Sequence, residues 1–365
     1  MKTIAVCNPS IKNLMSKDYF FEYEIFGEKV LIGLIEVQEP MYDKYFTNDT
    51  VLVRVDAFSC NYREKNKLLL FNKACKSTTG TQKIFYLPFG SEFVGEVLKV
   101  GNNVKKLKIG DRVIPDGTFP FKDNGVAGGV PTNYASKRVQ LFHSTQLIKI
   151  PDSMPNSIAA SFTVASQTVY SMIRKLNLST NSCVLITSAT SNTSLTAINV
   201  LIKKGIKVFV ISSNSNYHEK LSKLGVYKII PYSIIKENTL NEYIKIKFDA
   251  VIDPFFDVYL NHVVKSLNYG GKYITCGYYN QNPQFEKLDF DNDFFDTLTH
   301  CIVNNISIIG NCLGEKMDLE NAILDYSNNK HTIIVDSIHS GEGIELFIKK
   351  TFNDIPRFGK VVYQY

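Results

Sequence analysis

Six short β-prone runs, "CVLITS", "KVFVIS", "YKIIP", "FDAVIDP", "GKYITCG" and "ISIIG", recur between Cys183 and Ile309 with helical or loop text between them. Strands separated by helices cannot pair through tight hairpins. They line up as a parallel sheet with helices on both faces, and for that reason each run is apolar with little alternation. The stretch predicts a doubly wound domain, whose ligands bind beyond the carboxyl ends of the strands.

The first 152 residues have another rhythm. "VLIGLIEV", "TVLVRVDAFSC", "EFVGEVLKVG", "GDRVIP" and "VQLFHSTQLIKI" are β-branched runs broken by Gly, Asn, Asp and Pro, as in a barrel-like β domain. Pro151 and Pro155 punctuate the chain before "NSIAASFTVASQTVYSMIRKL", which reads as a helix. Near residue 315 one more helix, "LENAILDYS", precedes strand text ending in "RFGKVVYQY". The expected organisation is a β-rich domain of residues 1–152 and 315–365 around a parallel-sheet domain of residues 153–314. With 365 residues, 44% of them hydrophobic, the chain can fill two cores.

Composition narrows the function classes. The net charge of +6 is dispersed over many Lys-containing segments and Trp is absent, so nucleic acid is not the expected partner. An anionic cofactor or an acidic peptide is compatible with that charge. Cysteines 7, 60, 75, 183, 276, 301 and 312 are odd in number and form no CxxC pair, which fits free thiols in a reducing compartment. Residues 1–20 lack a signal-peptide pattern and no apolar run is long enough to cross a bilayer, so a cytoplasmic protein without membrane insertion is expected.

Five collinear landmarks carry a resemblance. "PFGSEFVGEVLKVGNNVKKLKIGDRV" (88–113), the hinge segment "SIAASFTVASQTVYSMI", "GVYKII" (225–230), "FDAVIDP" and "GGKYITCG" are similar, in order, to stretches of the medium-chain dehydrogenase/reductase superfamily. The resemblance spans nearly the whole chain. It implies a GroES-like β-barrel catalytic domain plus a Rossmann-type dinucleotide-binding domain, a nicotinamide cofactor and a homodimer joined through the sixth strand, near "NNISIIG".

Departures from the family pattern matter as much. Zinc alcohol dehydrogenases of the superfamily hold their metal with a cysteine and a histidine, whose places are taken here by Asn61 and Ser91, with Cys60 one residue early. A zinc site needs about three converging N, S or O ligands, so no catalytic zinc is expected. Residues 114–140 contain no cysteine, so the family's four-cysteine structural zinc lobe is not expected either. "CNYRE" instead resembles the "NFRD"-like motif of metal-free quinone oxidoreductases and enoyl reductases, which reduce an activated C=C bond.

The turn expected to hold the pyrophosphate, "TSATSNTS" (187–194), has no glycine. Glycines normally serve there for tight turning and close backbone approach. Small residues must replace them: Ser188, Ser191, Asn192, Thr193 and Ser194, with the amides of a helix N-terminus, are the candidate phosphate ligands. A turn that merely caps its helix is the alternative. After "VFVIS" no acidic residue precedes Glu219, so Ser212, Ser213, Asn214 and Tyr217 are expected at a 2′-phosphate, which selects NADPH over NADH. The resemblance places Thr163, Gln167, Thr168 and Gly277 around the nicotinamide.

For catalysis the candidates are Tyr62 as proton or hydrogen-bond donor, Asn61 as a positioning group, and Glu92 in acid–base chemistry. Glu92 has a structural alternative, pairing with Arg357 or Lys360; Arg63 has the same alternative as an ion-pair partner. The expected activity is reduction of an alkene conjugated to a carbonyl. Within the superfamily the chain is most similar to the lantibiotic-biosynthesis reductases that convert dehydroalanine in a modified precursor peptide to D-alanine. A small quinone or enone reductase, an alcohol dehydrogenase and a non-catalytic subunit of a peptide-modifying complex remain open.

Overall fold

The computed structural model describes residues 1–13, 18–38, 42–77, 83–118, 130–279 and 290–365. Its first strands are β1 (Lys2–Cys7), β2 (Tyr19–Ile25), β3 (Glu28–Glu36), β4 (Thr50–Ser59), β5 (Tyr86–Pro88), β6 (Glu92–Val100), β7 (Arg112–Pro115), β8 (Val139–His143) and β9 (Leu147–Lys149). There follow β10 (Cys183–Ile186), β11 (Lys207–Ser212), β12 (Lys228–Pro231), β13 (Phe248–Asp253), β14 (Leu267–Thr275), β15 (Ser307–Gly310), β16 (Val335–His339) and β17 (Lys360–Gln364).

Two compact units result, Met1–Val164 with Val335–Tyr365, and Ala165–Ile334. Both limits lie further along the chain than the expected 152 and 315. At the first limit, the Thr163 hydroxyl donates to the Pro115 carbonyl at 2.9 Å and the Val164 amide to Glu92 Oε2 at 3.0 Å, which ties these residues to the β-rich unit. At the second, the helix Lys316–Ser327 is held inside the other unit. Arg174 grips Asp318 through two bonds of 2.9 Å, and the Tyr170 hydroxyl donates to Asp325 at 2.7 Å.

The β-rich unit contains a four-stranded sheet, β2-β3-β1-β5, and a seven-stranded one whose path runs β16-β17-β4-β6-β7-β9, with β8 also on β4. In β4 the side chains of Val51, Val53 and Val55 are fully buried while those between them are half-buried, the period of two that the sequence predicts. They pack with Phe58, Phe93 and Val97 in one core.

In the other unit the strand order is β12-β11-β10-β13-β14-β15, every neighbouring pair parallel. This is the doubly wound order, with its switch point between β10 and β13. The helix Asn192–Lys203 follows β10 and buries Leu195, Ile198 and Leu201. Its end is a Schellman motif: Gly205, at φ +77°, donates to the Ile202 carbonyl and Ile206 to that of Leu201.

The single hinge helix expected from the sequence is broken into Asn156–Ala159 and Thr163–Leu176. At the break the Ser161 and Phe162 amides turn to the Ile158 and Ala159 carbonyls, the Ser161 hydroxyl donates back to the Ser157 and Ile158 carbonyls at 2.9 and 3.1 Å, and the Val164 amide donates to Glu92 instead of to a helical carbonyl. All seven cysteines are free. Among the described residues no helix is long and apolar enough to cross a membrane. Part of the segment read for a structural zinc lobe, residues 119–129, lies outside the described residues.

Candidate active site

In the β-rich unit a charged cluster forms where β4, β6 and β17 lie side by side. Ser59 ends β4, Glu92 opens β6 and Lys360 opens β17. Glu92 is fully buried and Lys360 is 3% exposed, so neither charge is solvated. The Lys360 ammonium donates to Glu92 Oε1 and Asn61 Oδ1, both at 2.6 Å. Glu92 Oε1 also accepts from Ser59 Oγ and Asn61 Nδ2 at 3.0 Å, while Oε2 accepts from the Val164 amide at 3.0 Å. A buried carboxylate is tolerable only with such a set of donors. Of the two partners expected for Glu92, Lys360 is the one that pairs with it; Arg357 turns to the Thr351 carbonyl at 3.3 Å and to that of Gly359.

Asn61 has a determined orientation. Its Oδ1 faces an ammonium and its Nδ2 faces Glu92 and the Ser91 hydroxyl, the latter at 3.2 Å, so the amide has one hydrogen-bonding assignment. Tyr62 points elsewhere: its hydroxyl donates to the Phe352 carbonyl at 3.2 Å and its ring meets the Phe352 ring edge-on. Burial raises its pKa, so it keeps its proton at neutral pH. Arg63 donates to Asn133 Oδ1 at 3.0 Å and lies 3.9 Å from Glu64, as its ion-pair reading states. Cys60 is buried and its thiol pKa is pushed well up by desolvation, which leaves it a poor nucleophile.

Glu64 was not among the sequence candidates. It is 1% exposed, accepts from the Asn61 amide through Oε2, and burial raises its pKa. Its spacing three residues after Asn61, at the start of the helix Glu64–Lys76, was the available signal.

The donor set at the expected metal position is thus an amide, a hydroxyl and a carboxylate already holding an ammonium. That set does not fit a tetrahedral zinc. Among the described residues no group of three or more His, Cys, Asp or Glu could hold a metal.

In the parallel-sheet unit, the glycine-free turn is built by its own hydroxyls. Ser188 takes φ +47°, the left-handed conformation otherwise given to glycine, and its hydroxyl donates to the Tyr259 hydroxyl at 3.2 Å. Ser191 is the N-cap of the helix Asn192–Lys203: its Oγ accepts from the Ser194 amide at 3.2 Å and donates to Ser194 Oγ at 2.9 Å. Ser194 Oγ in turn donates to the Thr187 carbonyl at 2.7 Å and is fully buried. Ser191 and Ser194 are therefore spent on shaping the turn. What remains for an anion is the pair of first-turn amides at Asn192 and Thr193, which have no carbonyl one turn back, with the half-buried Thr193 hydroxyl. Those groups fit a diphosphate.

Under the turn lies Asp253, at the end of β13. It is fully buried, accepts from Thr187 Oγ1 at 2.6 Å, from the Phe255 amide at 2.8 Å and from the Tyr273 hydroxyl, and burial lifts its pKa to about 6. No sequence pattern marked it. At the end of β11, Ser212 donates to the Asn214 carbonyl at 3.3 Å, Asn214 caps the next turn, Ser213 is exposed, and the Lys220 ammonium lies 5.6 Å from the Tyr217 ring centre. A side chain at Gly277 would put its Cβ 1.8 Å from the Pro254 carbonyl, so only glycine fits there. Gln167 is buried and donates to the Glu315 carbonyl at 3.1 Å; the Thr168 carbonyl accepts from Asn311 at 3.5 Å. Both brace the segment after β15.

Comparison with known proteins accords with this geometry. Residues 47–152 match the alcohol dehydrogenase GroES-like domain family and residues 193–328 the zinc-binding dehydrogenase family. An acryloyl-coenzyme A reductase of Metallosphaera sedula is 26% identical over 87% of this chain and 92% of its own length. One of the same name from Sulfurisphaera tokodaii is 25% identical over 92% of this chain and 97% of its own. The crystal structure of an NAD-dependent alcohol dehydrogenase superposes over 100% of both chains with a TM-score of 0.74 at 16% identity, a likeness of fold. With a GroES-like barrel, a doubly wound sheet in the order expected of a dinucleotide fold and both family models matched in sequence, the chain belongs to the medium-chain dehydrogenase/reductase superfamily of NAD(P)H-dependent oxidoreductases.

Proposed function

We propose that the chain is an NADPH-dependent, zinc-independent reductase of a carbon–carbon double bond conjugated to a carbonyl. The carrying observation is Lys360, whose ammonium lies 2.6 Å from both Glu92 and Asn61. A divalent cation entering that cluster would have to compete with the Lys360 ammonium for the Glu92 carboxylate, at a few ångströms from a like charge in a buried site. Alcohol oxidation wants a Lewis acid for its alkoxide. Conjugate addition spreads charge onto a carbonyl oxygen that hydrogen-bond donors stabilise.

The nicotinamide, when bound, supplies a hydride to the β-carbon. The chain's residues supply the rest. Asn192 and Thr193 hold the diphosphate, Ser213, Asn214 and Tyr217 take the 2′-phosphate in the absence of an acid after β11, and Gly277 admits close backbone approach. Asn61, fixed by Lys360 and Glu92, orients the substrate carbonyl. Tyr62 donates a hydrogen bond to the developing enolate oxygen, for which its hydroxyl must leave the Phe352 carbonyl; the α-carbon then takes one proton from solvent water, so hydride and proton together add two hydrogens to the double bond. Glu92 serves by keeping Lys360 and Asn61 in place.

Our first reading of the acceptor is dehydroalanine in a modified lantibiotic precursor peptide, reduced to D-alanine. The two acryloyl-coenzyme A reductases favour a second reading, an acrylate thioester. Both acceptors present a terminal CH₂ conjugated to a carbonyl. Parallel assays with NADPH and NADH on acryloyl-coenzyme A and on a dehydroalanine peptide, read by cofactor absorbance and by mass, separate them. Failure to bind either dinucleotide would overturn the enzymatic reading in favour of a non-catalytic subunit, and stoichiometric zinc in active protein would overturn the metal-free one.

A homodimer through β15 belongs to the same proposal. This edge strand carries Ile308 at 45% exposure, and the helix before it ends on Ile302 and Val303 at 68% and 69%. An Ile308→Lys protein that sediments like the parent chain would refute it.

A further inference from the structure

The β-rich unit carries a feature that the reductase chemistry does not use. Two hollows adjoin on its surface, of about 400 Å³ and about 240 Å³, and Tyr134 and Lys137 stand in the walls of both. The larger is aromatic, with Tyr42, Tyr45 and Phe142 in its lining. The Tyr134 ring stacks on that of Phe71 at 5.7 Å and 12°. The smaller hollow is reached by Thr3, in the middle of the four-stranded sheet.

Lys137, like Lys65 of the same unit, is a half-buried cation without an ion pair among the described residues, whereas others in the unit have one. Arg54 meets Glu96 at 2.7 Å and Lys350 meets Asp336 at 2.9 Å. No carboxylate among the described residues pairs with Lys137, whose ammonium lies 5.3 Å from the Tyr42 ring centre and whose pKa is lowered by burial. A cation–π contact offsets only part of the desolvation of an ammonium. Thr3 supplies a second, independent observation. The residue lines the smaller hollow, its side chain is fully buried, and its hydroxyl has no hydrogen-bond partner among the described residues. A buried hydroxyl without a partner is costly unless a ligand completes it.

We infer that the paired hollows bind an extended peptide segment, an acidic side chain entering the smaller one and an aromatic or apolar side chain two residues away entering the larger one. In an extended chain residues two apart project from the same face, so one segment can fill both hollows across the Tyr134 divide. The carboxylate accepts from the Lys137 ammonium and the Thr3 hydroxyl, which supplies each with its missing partner. The tyrosines offer flat contact area at low entropic cost, and Asn133 in the larger lining and Gln38 in the smaller carry amides for the peptide backbone. Asn133 already accepts from Arg63.

The inference does not depend on which double bond is reduced, so its test is binding and not turnover. The probe is the blocked pentapeptide acetyl-Ala-Glu-Ala-Phe-Ala-amide, with its Gln-for-Glu twin, titrated calorimetrically into the full chain. The Glu peptide is expected to bind about tenfold tighter than the Gln peptide, the worth of one partly desolvated charged hydrogen bond. Lys137→Met should erase that preference, and the near-isosteric Thr3→Val should reduce it about threefold while circular dichroism stays that of the parent. Equal affinity for the two peptides, an unchanged preference in Lys137→Met, no saturable binding, or inorganic phosphate binding as tightly as the peptide would each overturn the inference.

Discussion

Replacing Lys360 by Met removes the positive half of a buried pair and leaves the rest of the cluster in place. Glu92, with no exposed surface, would keep Ser59, Asn61 and the Val164 amide but lose the ammonium that donates at 2.6 Å. Breaking a buried pair from one side costs about 3–5 kcal/mol, because the surviving charge is neither solvated nor compensated. The remaining neutral donors soften this, so a loss of about 3 kcal/mol is expected for Lys360→Met. Glu92→Gln in the same protein should restore about 2 kcal/mol, since the amide needs no counter-charge. The chain has no Trp, so urea unfolding is followed by far-ultraviolet circular dichroism, comparing the transition of the β-rich unit in the parent, both single variants and the double variant. A single Lys360→Met variant within about 1 kcal/mol of the parent, with no recovery in the double variant, would refute the claim that this pair organises the site.

Three other outcomes follow from the parallel-sheet unit. Ser191→Ala removes an N-cap and should cost about 1 kcal/mol while weakening dinucleotide binding; Ser191→Gly should cost only a few tenths of that in stability, and equilibrium unfolding with NADPH titration distinguishes them. Gly277→Ala, whose Cβ would meet the Pro254 carbonyl at 1.8 Å, should abolish NADPH retention while the β-rich unit keeps its unfolding transition. Asp253 carries a pH signature. Its folded pKa of about 6 is above the ordinary 3.8, so its contribution is fully present below about pH 4 and lost as pH rises through about 6. The difference corresponds to about 3 kcal/mol across that window, and Asp253→Asn should flatten it. A parent chain with the same pH profile as the Asn variant would exclude burial of this charge as its cause.

Much of the fold could be read from residue order. The six apolar runs are β10 to β15: β10, β11 and β13 are apolar because both their faces are buried, whereas the edge strand β15 is apolar though largely exposed, and the turn between "CVLI" and Leu195 is a strand-to-helix turn as read. Asn61 and Ser91 at the expected metal positions were visible as letters. The helix break near Ser161 was not, since there the Val164 amide leaves the helix pattern for Glu92, 72 positions away in the sequence. Asp253 was passed over because "FDAVIDP" reads as strand text, and only the paths of β10, β13 and β14 bring Thr187, Asp253 and Tyr273 together.

The sequence by itself determined the six strands of the parallel sheet and several of the β-rich unit, though not β1, β2 or β5, that the parallel sheet is inserted between two parts of a β-rich unit, and that the glycine-free turn follows the first parallel strand; these depend on periodicity and local turn chemistry, which act over a few residues. Only the tertiary structure decided that Lys360 rather than Arg357 meets Glu92, that Ser191 and Ser194 are spent on the turn itself, and that Lys137 and Thr3 line one hollow. Such pairings join residues hundreds of positions apart in some cases, as with the separation of 268 between Glu92 and Lys360, and are set by how β-strands register side by side. No local pattern encodes that register; it follows from burying both strands' apolar faces in one core.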